Sequence, residues 1–491
     1  MNFSRRDFIK TVGASAGIFA AAGIPAAHAT ILPEPKKKIK ADVIVVGSGM
    51  AATCAALQAA ELGVKTIMIE KLPLEEIGGS TKFSGGSIGV ASEDTPESKQ
   101  IFFEEIDKAS LGRGNKEIMK VIAENSLENT RWIRSYGPTA PDPMYRPGKK
   151  AKSVIFDPGM YRNMRVVLAK LREAYQQKLK GQIHCDTKAR QLLLNDKGEV
   201  IGVRAETKAG LVDYMGKVVL GTGGYARNKE MLEMYVGPDA DEAWYRGSQG
   251  NTGDGHLMAK EIGAGLVRMG GSESIMLANV SPVNPHAGNP SYIVQYGLMI
   301  NVKGKRYIDE GLGYGYVCPV LLNQPMQTAA MVFDSEMRTK FGAIDVMVKL
   351  FDTNKIPYVQ ADTLEGLAEK INVPKDEFMK TVQDYNAAVK PDGTAINLVP
   401  QKTNSAIKLE KGPYYAFYPL MPGITLTFGG ININTDAQVM QADGRVIKGL
   451  YAAGECAGGV FHHEYYSVGL PLANAMTMGR IAGRNAAKLK L

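Results

Sequence analysis

The chain has no CxxC, CxxCH or HExxH segment, and its four cysteines (Cys54, Cys185, Cys318, Cys456) stand far apart. That spacing argues against a structural zinc site, a haem attached within this chain and a disulfide scaffold. The adjacent His462 and His463 point apart, and no third ligand follows them, so no metal is expected. Tryptophan is scarce, with two in 491 residues, and no G-X-Y period runs through the glycines. Basic residues are scattered rather than clustered, so the formal charge of +8 reads as solvated surface and no nucleic-acid partner is expected. Past the N-terminal stretch no run reaches the ~20 apolar residues of a membrane span, so the mature chain is expected to lack one. What is present is an ordinary globular mixture, 45% hydrophobic and 22% charged, long enough for more than one domain. Fifty-four glycines point to tight turns and close backbone approaches.

The N-terminus reads as an address. Ser4-Arg5-Arg6-Asp7-Phe8-Ile9-Lys10 is a twin-arginine pattern, followed by a small apolar stretch from Val12 to Ala26 and by Ala27-His28-Ala29. The last triplet fits the A-x-A cleavage rule and places the start of the mature chain at Thr30. The expected partner is the twin-arginine translocase and the expected location is the periplasm. That route carries chains already folded, often around a cofactor, so the address itself predicts one.

Ala41-Asp-Val-Ile-Val-Val46 is a short β-branched run typical of a buried parallel strand. It enters Gly47-Ser-Gly49-Met-Ala-Ala52, then a helix from Ala55 to Leu62, then a strand from Val64 to Ile69 that ends in Glu70. Gly47 allows the tight turn, Gly49 lets a pyrophosphate approach the backbone, and Ala52 permits close helix–strand packing. The helix N-terminus offers free N–H groups and a positive dipole end to phosphates. Glu70 is placed to accept ribose hydroxyls. A dinucleotide site is expected here.

Four more ligand-like turns follow. Gly78-Gly79-Ser80-Thr81-Lys82-Phe83-Ser84-Gly85-Gly86 brings hydroxyl and N–H donors against an extended ligand. Lys217-Val-Val-Leu runs into Gly221-Thr222-Gly223-Gly224, and Asn251-Thr-Gly-Asp254-Gly255 opens a helix through Met258 to Ile262. Gly449-Leu-Tyr-Ala-Ala-Gly-Glu455 is a strand entering an acid, followed by a helix from Leu472 to Lys488. Turns spread over the whole chain suit a long, stretched dinucleotide, and FAD is such a ligand.

Taken together, GSGMAA, GGSTKFSGG, VVLGTGGYARNKEM, NTGDGHLMAKEIGA, GKRYIDE, TFGGININ and GLYAAGECAGGV resemble the FAD-dependent fumarate reductase/succinate dehydrogenase flavoprotein superfamily. The likeness is to its soluble branch with 3-ketosteroid Δ1-dehydrogenases and periplasmic enoate reductases, and it covers Ala41 to Lys488. It implies an α/β fold, a Rossmann-like FAD-binding domain with an inserted α+β capping (catalytic) domain. The organisation expected is a signal peptide over 1–29, FAD-binding residues 30–270, the cap over 271–415, and the rest of the FAD domain over 416–491. The implied cofactor contacts are Gly47, Gly49, Ala51, Ala52, Glu70, Lys71, Gly78, Gly79, Ser80, Thr81, Ser84, Gly85, Gly86, Ala189, Thr222, Gly223, Gly224, Asp254, Glu455, Leu470 and Leu472. Covalent-flavin members carry a histidine in the second glycine-rich loop; none stands between Ser80 and Ser84, which implies a non-covalent FAD.

Fumarate reductases place an arginine proton donor four residues after the acid of a GxRYxxE segment, and here Glu310 is followed at that distance by Tyr314. Their histidine before a TMGG-like turn is replaced by Thr425-Leu426, and their later arginine stretch reads Tyr466-Ser-Val-Gly-Leu470. A dianion needs paired cationic donors, so these departures argue against fumarate as the substrate. They match the ketosteroid dehydrogenase pattern instead, which puts catalytic roles on Tyr314, Tyr465 and Gly469, with Tyr145 or Tyr161 as an assisting tyrosine. The resemblance implies that Tyr465 and the Gly469 N–H polarise a carbonyl while Tyr314 moves a proton next to it. Hydride would pass between flavin and the β-carbon of a small unsaturated carbonyl compound, and a separate cytochrome or quinone-linked protein would carry the electrons. A reductase of another unsaturated acid and a non-catalytic FAD electron-transfer protein stay open as alternatives.

Overall fold

The computed structural model describes residues 34–145, 151–156, 164–278, 288–460 and 469–489. The predicted signal peptide, Tyr161, His462, His463 and Tyr465 lie outside them. The strand Lys37–Val46 sits at the centre of an eight-stranded sheet. Its last four residues, Val43 to Val46, are buried on both faces, which is why the run is continuously β-branched rather than alternating. It pairs in parallel with Thr66–Ile69 on one side and with Gly210–Leu220 on the other. Gly210–Leu220 in turn takes Val446–Ala452 as a parallel neighbour, so the first and last strands of the chain's dinucleotide half lie in one sheet. The hairpin Lys188–Leu194 and Val200–Thr207 hangs antiparallel from the same strand.

Two helices close one face. Met50–Glu61 is small-residue rich and buried along nearly its whole length, and Leu470–Lys488 lies against it. The contact is backbone-close: a Cβ on Gly479 would stand 2.5 Å from the carbonyl oxygen of Ala51, and one on Gly483 would press into the Ala55 carbonyl. Lys116–Arg134, capped by the Asn115 side chain, packs on the C-terminal helix through Asn129 Nδ2 donating to Thr477 Oγ1 at 2.7 Å.

The inserted unit is a second sheet with its own core, from Met276 to Leu420. Its longest strand, Tyr414–Ile431, changes partners along its length. The first part pairs with Ala329–Asp334 and Val359–Ala361, and the second with Leu266–Ala278. The cap's sheet therefore extends past residue 415, to Ile431, which is buried in the core of the dinucleotide half. One strand thus threads both cores and fixes how they face each other. Below it, Glu310 is fully buried in a cation cage. It accepts from Arg306 Nη2 at 2.6 Å and Nε at 3.1 Å, from Met299 N at 2.9 Å and from Lys402 Nζ at 3.5 Å. A buried carboxylate persists only when paired and hydrogen-bonded in this way. The cage anchors the loop that begins the helix Tyr314–Leu321. Among the described residues no helix is long and apolar enough to cross a membrane, and no cluster of three potential ligands that could hold a metal ion occurs.

Candidate active site

A cavity of about 620 Å³ runs along the carboxyl ends of the parallel strands and opens between the two cores. Ligands in open α/β sheets sit at such strand ends. At one end Gly47 turns the chain with φ +106°, where a Cβ would collide with the Gly221 carbonyl. Gly49 caps the Met50–Glu61 helix from an ordinary φ of −71°, so no backbone strain calls for glycine there. A side chain there would protrude into the cavity, with Thr81 Oγ1 3.6 Å from its Cβ. Gly79, Gly85, Gly221, Gly223 and Gly454 continue this side-chain-free wall. It fits a stretched dinucleotide with its pyrophosphate at the helix N-terminus.

Acids stand along the same wall. Glu70 is buried, accepting from Ser48 Oγ at 2.5 Å and from Leu72 N at 2.9 Å. Lys71 Nζ reaches Asp254 Oδ2 at 2.7 Å and Thr252 Oγ1 at 2.6 Å. Burial works to raise the Asp254 carboxyl, but Lys71, Lys188 and the Thr252 hydroxyl together hold it below the usual range. Among the described residues Glu455 has hydrogen-bond donors but no ion-pair partner. Thr427 N donates to it at 3.0 Å and Asn251 Nδ2 at 3.2 Å, and burial pushes its carboxyl up to about 7. Asn251 Nδ2 also reaches Ser80 Oγ at 3.1 Å, so the second glycine-rich loop and the NTGDG turn meet at this point.

The other end is built by the cap. Tyr314 opens its helix and turns its ring edge-on to Tyr292, with centroids 4.9 Å apart. Its hydroxyl lies 3.5 Å from Glu273 Oε1, and Thr425 Oγ1 donates to Glu273 Oε2 at 2.6 Å. Arg246 lines the same end and is tied to the long strand by its backbone N–H, which donates to the Ile424 carbonyl at 2.9 Å. Gly469 and the first turn of the C-terminal helix, Pro471 and Leu472 included, form the wall between the two ends.

Of the residues expected from the sequence, Gly47, Gly49, Ala51, Glu70, Lys71, Gly79, Ser80, Thr81, Ser84, Gly85, Ala189, Thr222, Gly223, Asp254, Tyr314, Glu455, Gly469 and Leu472 line this cavity. Ala52, Gly78, Gly86, Gly224 and Leu470 are not among its lining residues. Ala52 is buried, and a Cβ on Gly221 would lie 2.8 Å from its methyl. Tyr145 does not come to the site: it is 60% exposed on a short edge strand, with Lys152 Nζ 4.9 Å over its ring. Sequence reasoning did not find Glu273, Arg246, Tyr292 or Asn251 as site residues. Glu273 carries a signal in retrospect, an acid in a β-strand segment whose neighbours Ser272 and Ser274 are buried.

Comparison with known proteins supports the family and the fold. Residues 42–472 match the family model described as an FAD binding domain. The chain is 30% identical over 464 residues to a probable fumarate reductase, Ifc3, of Shewanella frigidimarina strain NCIMB 400, covering 91% of this chain and 74% of that one. It is 26% identical over 570 residues to a 3-oxosteroid 1-dehydrogenase of Mycolicibacterium smegmatis, covering 91% and 97%. Its fold superposes on the open conformation of a flavocytochrome c3 fumarate reductase with a TM-score of 0.73 at 28% identity, over 99% of this chain and 81% of that one.

Proposed function

This chain belongs to the FAD-binding-domain flavoproteins, and from that premise we propose that it is an exported oxidoreductase acting on a C–C bond next to a carbonyl. The observation that carries the reading is the continuity of the cavity. The glycine wall and its acids lead without a barrier to Tyr314, so a flavin held by the first faces a substrate beside the second. When bound, FAD supplies hydride exchange with the substrate's β-carbon. The chain's own residues do the rest. The Met50–Glu61 N-terminus and the glycine turns hold the pyrophosphate, and Glu70 accepts ribose hydroxyls. Tyr314 moves a proton at the carbon next to the carbonyl, and the Gly469 N–H, with Tyr465, polarises the carbonyl oxygen.

One feature favours an unsaturated acid over a neutral ketosteroid. Arg246 brings a guanidinium to the cavity lining, close enough to Glu273 for its charge to act on that carboxyl. A guanidinium in this position suits a substrate that carries a carboxylate. The electron carrier in this reading is a separate cytochrome or quinone-linked protein, a reading supported by a relative described as a fumarate reductase (cytochrome). Anaerobic turnover with reduced viologen, and separately with a dye acceptor, against enones, enoates and 3-ketosteroids tests the assignment. No turnover of any of them in either direction would leave the electron-transfer alternative.

Two results are expected from the same preparation. The purified protein is yellow, and acid denaturation releases free FAD into the supernatant, because no histidine stands in the second glycine-rich loop to hold it covalently. Flavin that precipitates with the chain contradicts this. Replacing Arg5 and Arg6 by lysine leaves the protein in the cytoplasm; an unchanged periplasmic yield on fractionation rules out the twin-arginine route.

A further inference from the structure

We propose that Glu273 is the proton partner of Tyr314, the positioning residue through which the phenol's proton is replaced after each turnover. The proposal rests on the reading of Tyr314 as the group that moves a proton at the substrate. Three strands of observation support it. Glu273 lines the cavity at the Tyr314 end, and its Oε1 is the carboxylate oxygen 3.5 Å from the Tyr314 hydroxyl. Its other oxygen is fixed by Thr425 Oγ1 at 2.6 Å, so the carboxyl cannot swing away from the phenol without losing that bond. Its strand, Leu266–Ala278, is pinned on both sides of Glu273 by the long strand, with a register shift between Glu273 and Ser274 that re-aims the side chain.

The groups facing Glu273 set its charge. The helix Tyr314–Leu321 presents the Tyr314 phenol and the buried Cys318 thiol, the long strand presents Thr425, and the segment after Trp244–Tyr245 presents Arg246. Burial raises the carboxyl above its ordinary range, against the pull of Thr425, Arg246 and Tyr314. A carboxylic acid so placed holds a proton nearer to neutral pH than a solvated one. A phenol with a pKa of about 10 delivers its proton and then needs it back quickly.

In the reducing direction the step balances as follows. The Tyr314 O–H bond breaks as a C–H bond forms at the carbon next to the carbonyl, leaving a phenolate. The Glu273 O–H bond then breaks and the Tyr314 O–H bond re-forms, leaving a carboxylate held by Thr425 and by the field of Arg246. A proton taken up from bulk solvent restores the carboxyl, so each turnover consumes one proton from solution. Dehydrogenation runs the same transfers in reverse.

The test uses the holoenzyme with reduced benzyl viologen as donor and two probes, crotonate and cyclohex-2-en-1-one, across pH 5 to 9. Glu273→Gln should lower kcat by ~10-fold or more at neutral pH. It should leave KM within about twofold and abolish the pH-rate limb that the parent shows. Glu273→Asp keeps a carboxyl and should retain that limb at reduced rate, which separates proton transfer from packing. If Glu273→Gln does not hold flavin, the Asp variant decides alone: loss of the limb despite a retained carboxyl overturns the proposal. A Glu273→Gln enzyme with the parental pH profile also overturns it. Tyr314→Phe measured beside it separates the two failures. If that variant is slow while Glu273→Gln is parental, only the relay is wrong; if both are parental, or the parent enzyme turns over neither probe, the reading of Tyr314 falls as well.

Discussion

Tyr314→Phe is expected to lower turnover by ~10²–10⁴-fold while FAD stays bound with an unchanged absorption spectrum. The change removes one hydroxyl and keeps the ring. The edge-on contact with Tyr292 and the start of the Tyr314–Leu321 helix should therefore survive. Tyr314 touches the cavity only at its cap end, away from the Gly47–Gly49 turn and Glu70, so cofactor occupancy has no reason to fall. The measurement is steady-state rate per bound flavin against the best compound of the enone and enoate panel. A phenylalanine variant that works at the parental rate removes Tyr314 from the mechanism.

The largest stability effect should come from Glu310→Ala. Arg306 and Lys402 are 3% and 1% exposed, so deleting the carboxylate leaves two buried cations without their shared anion. Breaking a buried pair in this way costs about 3–5 kcal/mol. The Met299 N–H loses its acceptor too. In a thermal scan of the holoprotein the cap's transition should drop by roughly 10 °C. A shift of no more than ~1 °C would mean that the cage is not holding the cap together. The pH dependence has a definite sign. Burial alone would raise the Glu310 carboxyl, but Lys402 and Arg306 overcome it and hold it below its ordinary range. Its contribution is therefore fully present above the ordinary carboxylate range and fades as the pH falls through the lowered folded-state value. The parent and the alanine variant should converge in acid. Because the cage sits four residues before Tyr314, a milder variant that folds should also show a loosened active-site tyrosine, as slower turnover.

The dinucleotide end was legible because its information is local. A β-branched run, two glycines, a small-residue helix and an acid at the next strand end all fall between Ala41 and Glu70, and each residue type has one physical reason to be there. The C-terminal helix was legible in the same way, and in the structure it begins at Leu470, two residues before the expected start. The cap end was not. Glu273, Thr425, Arg246 and Tyr314 come from four separate stretches, and only the register of Tyr414–Ile431 against Leu266–Ala278 and Trp244–Tyr245 brings the first three together. That register contains irregular steps, so even a correct strand assignment would not have fixed which side chains share the cavity. Thr425 drew attention only as a departure from the fumarate reductase pattern, and what it holds, the Glu273 carboxyl, was invisible until the two strands were paired. Tyr145 shows the opposite failure: a motif-level candidate that an edge strand turns outward to solvent.

The seating of the last helix on the first has a consequence for how the protein is made. Ala51 and Ala55 leave the ribosome long before the Gly479 and Gly483 backbone they must touch. The cap contains short-range pairings, such as Leu298–Asn301 with Ala329–Asp334, that can form while synthesis continues. The dinucleotide half must wait for the Leu470–Lys488 helix, since contacts so distant in sequence carry the cost of closing the loop between them. A nascent chain that has not yet released Leu470–Lys488 therefore carries its Met50–Glu61 helix without the surface it packs on.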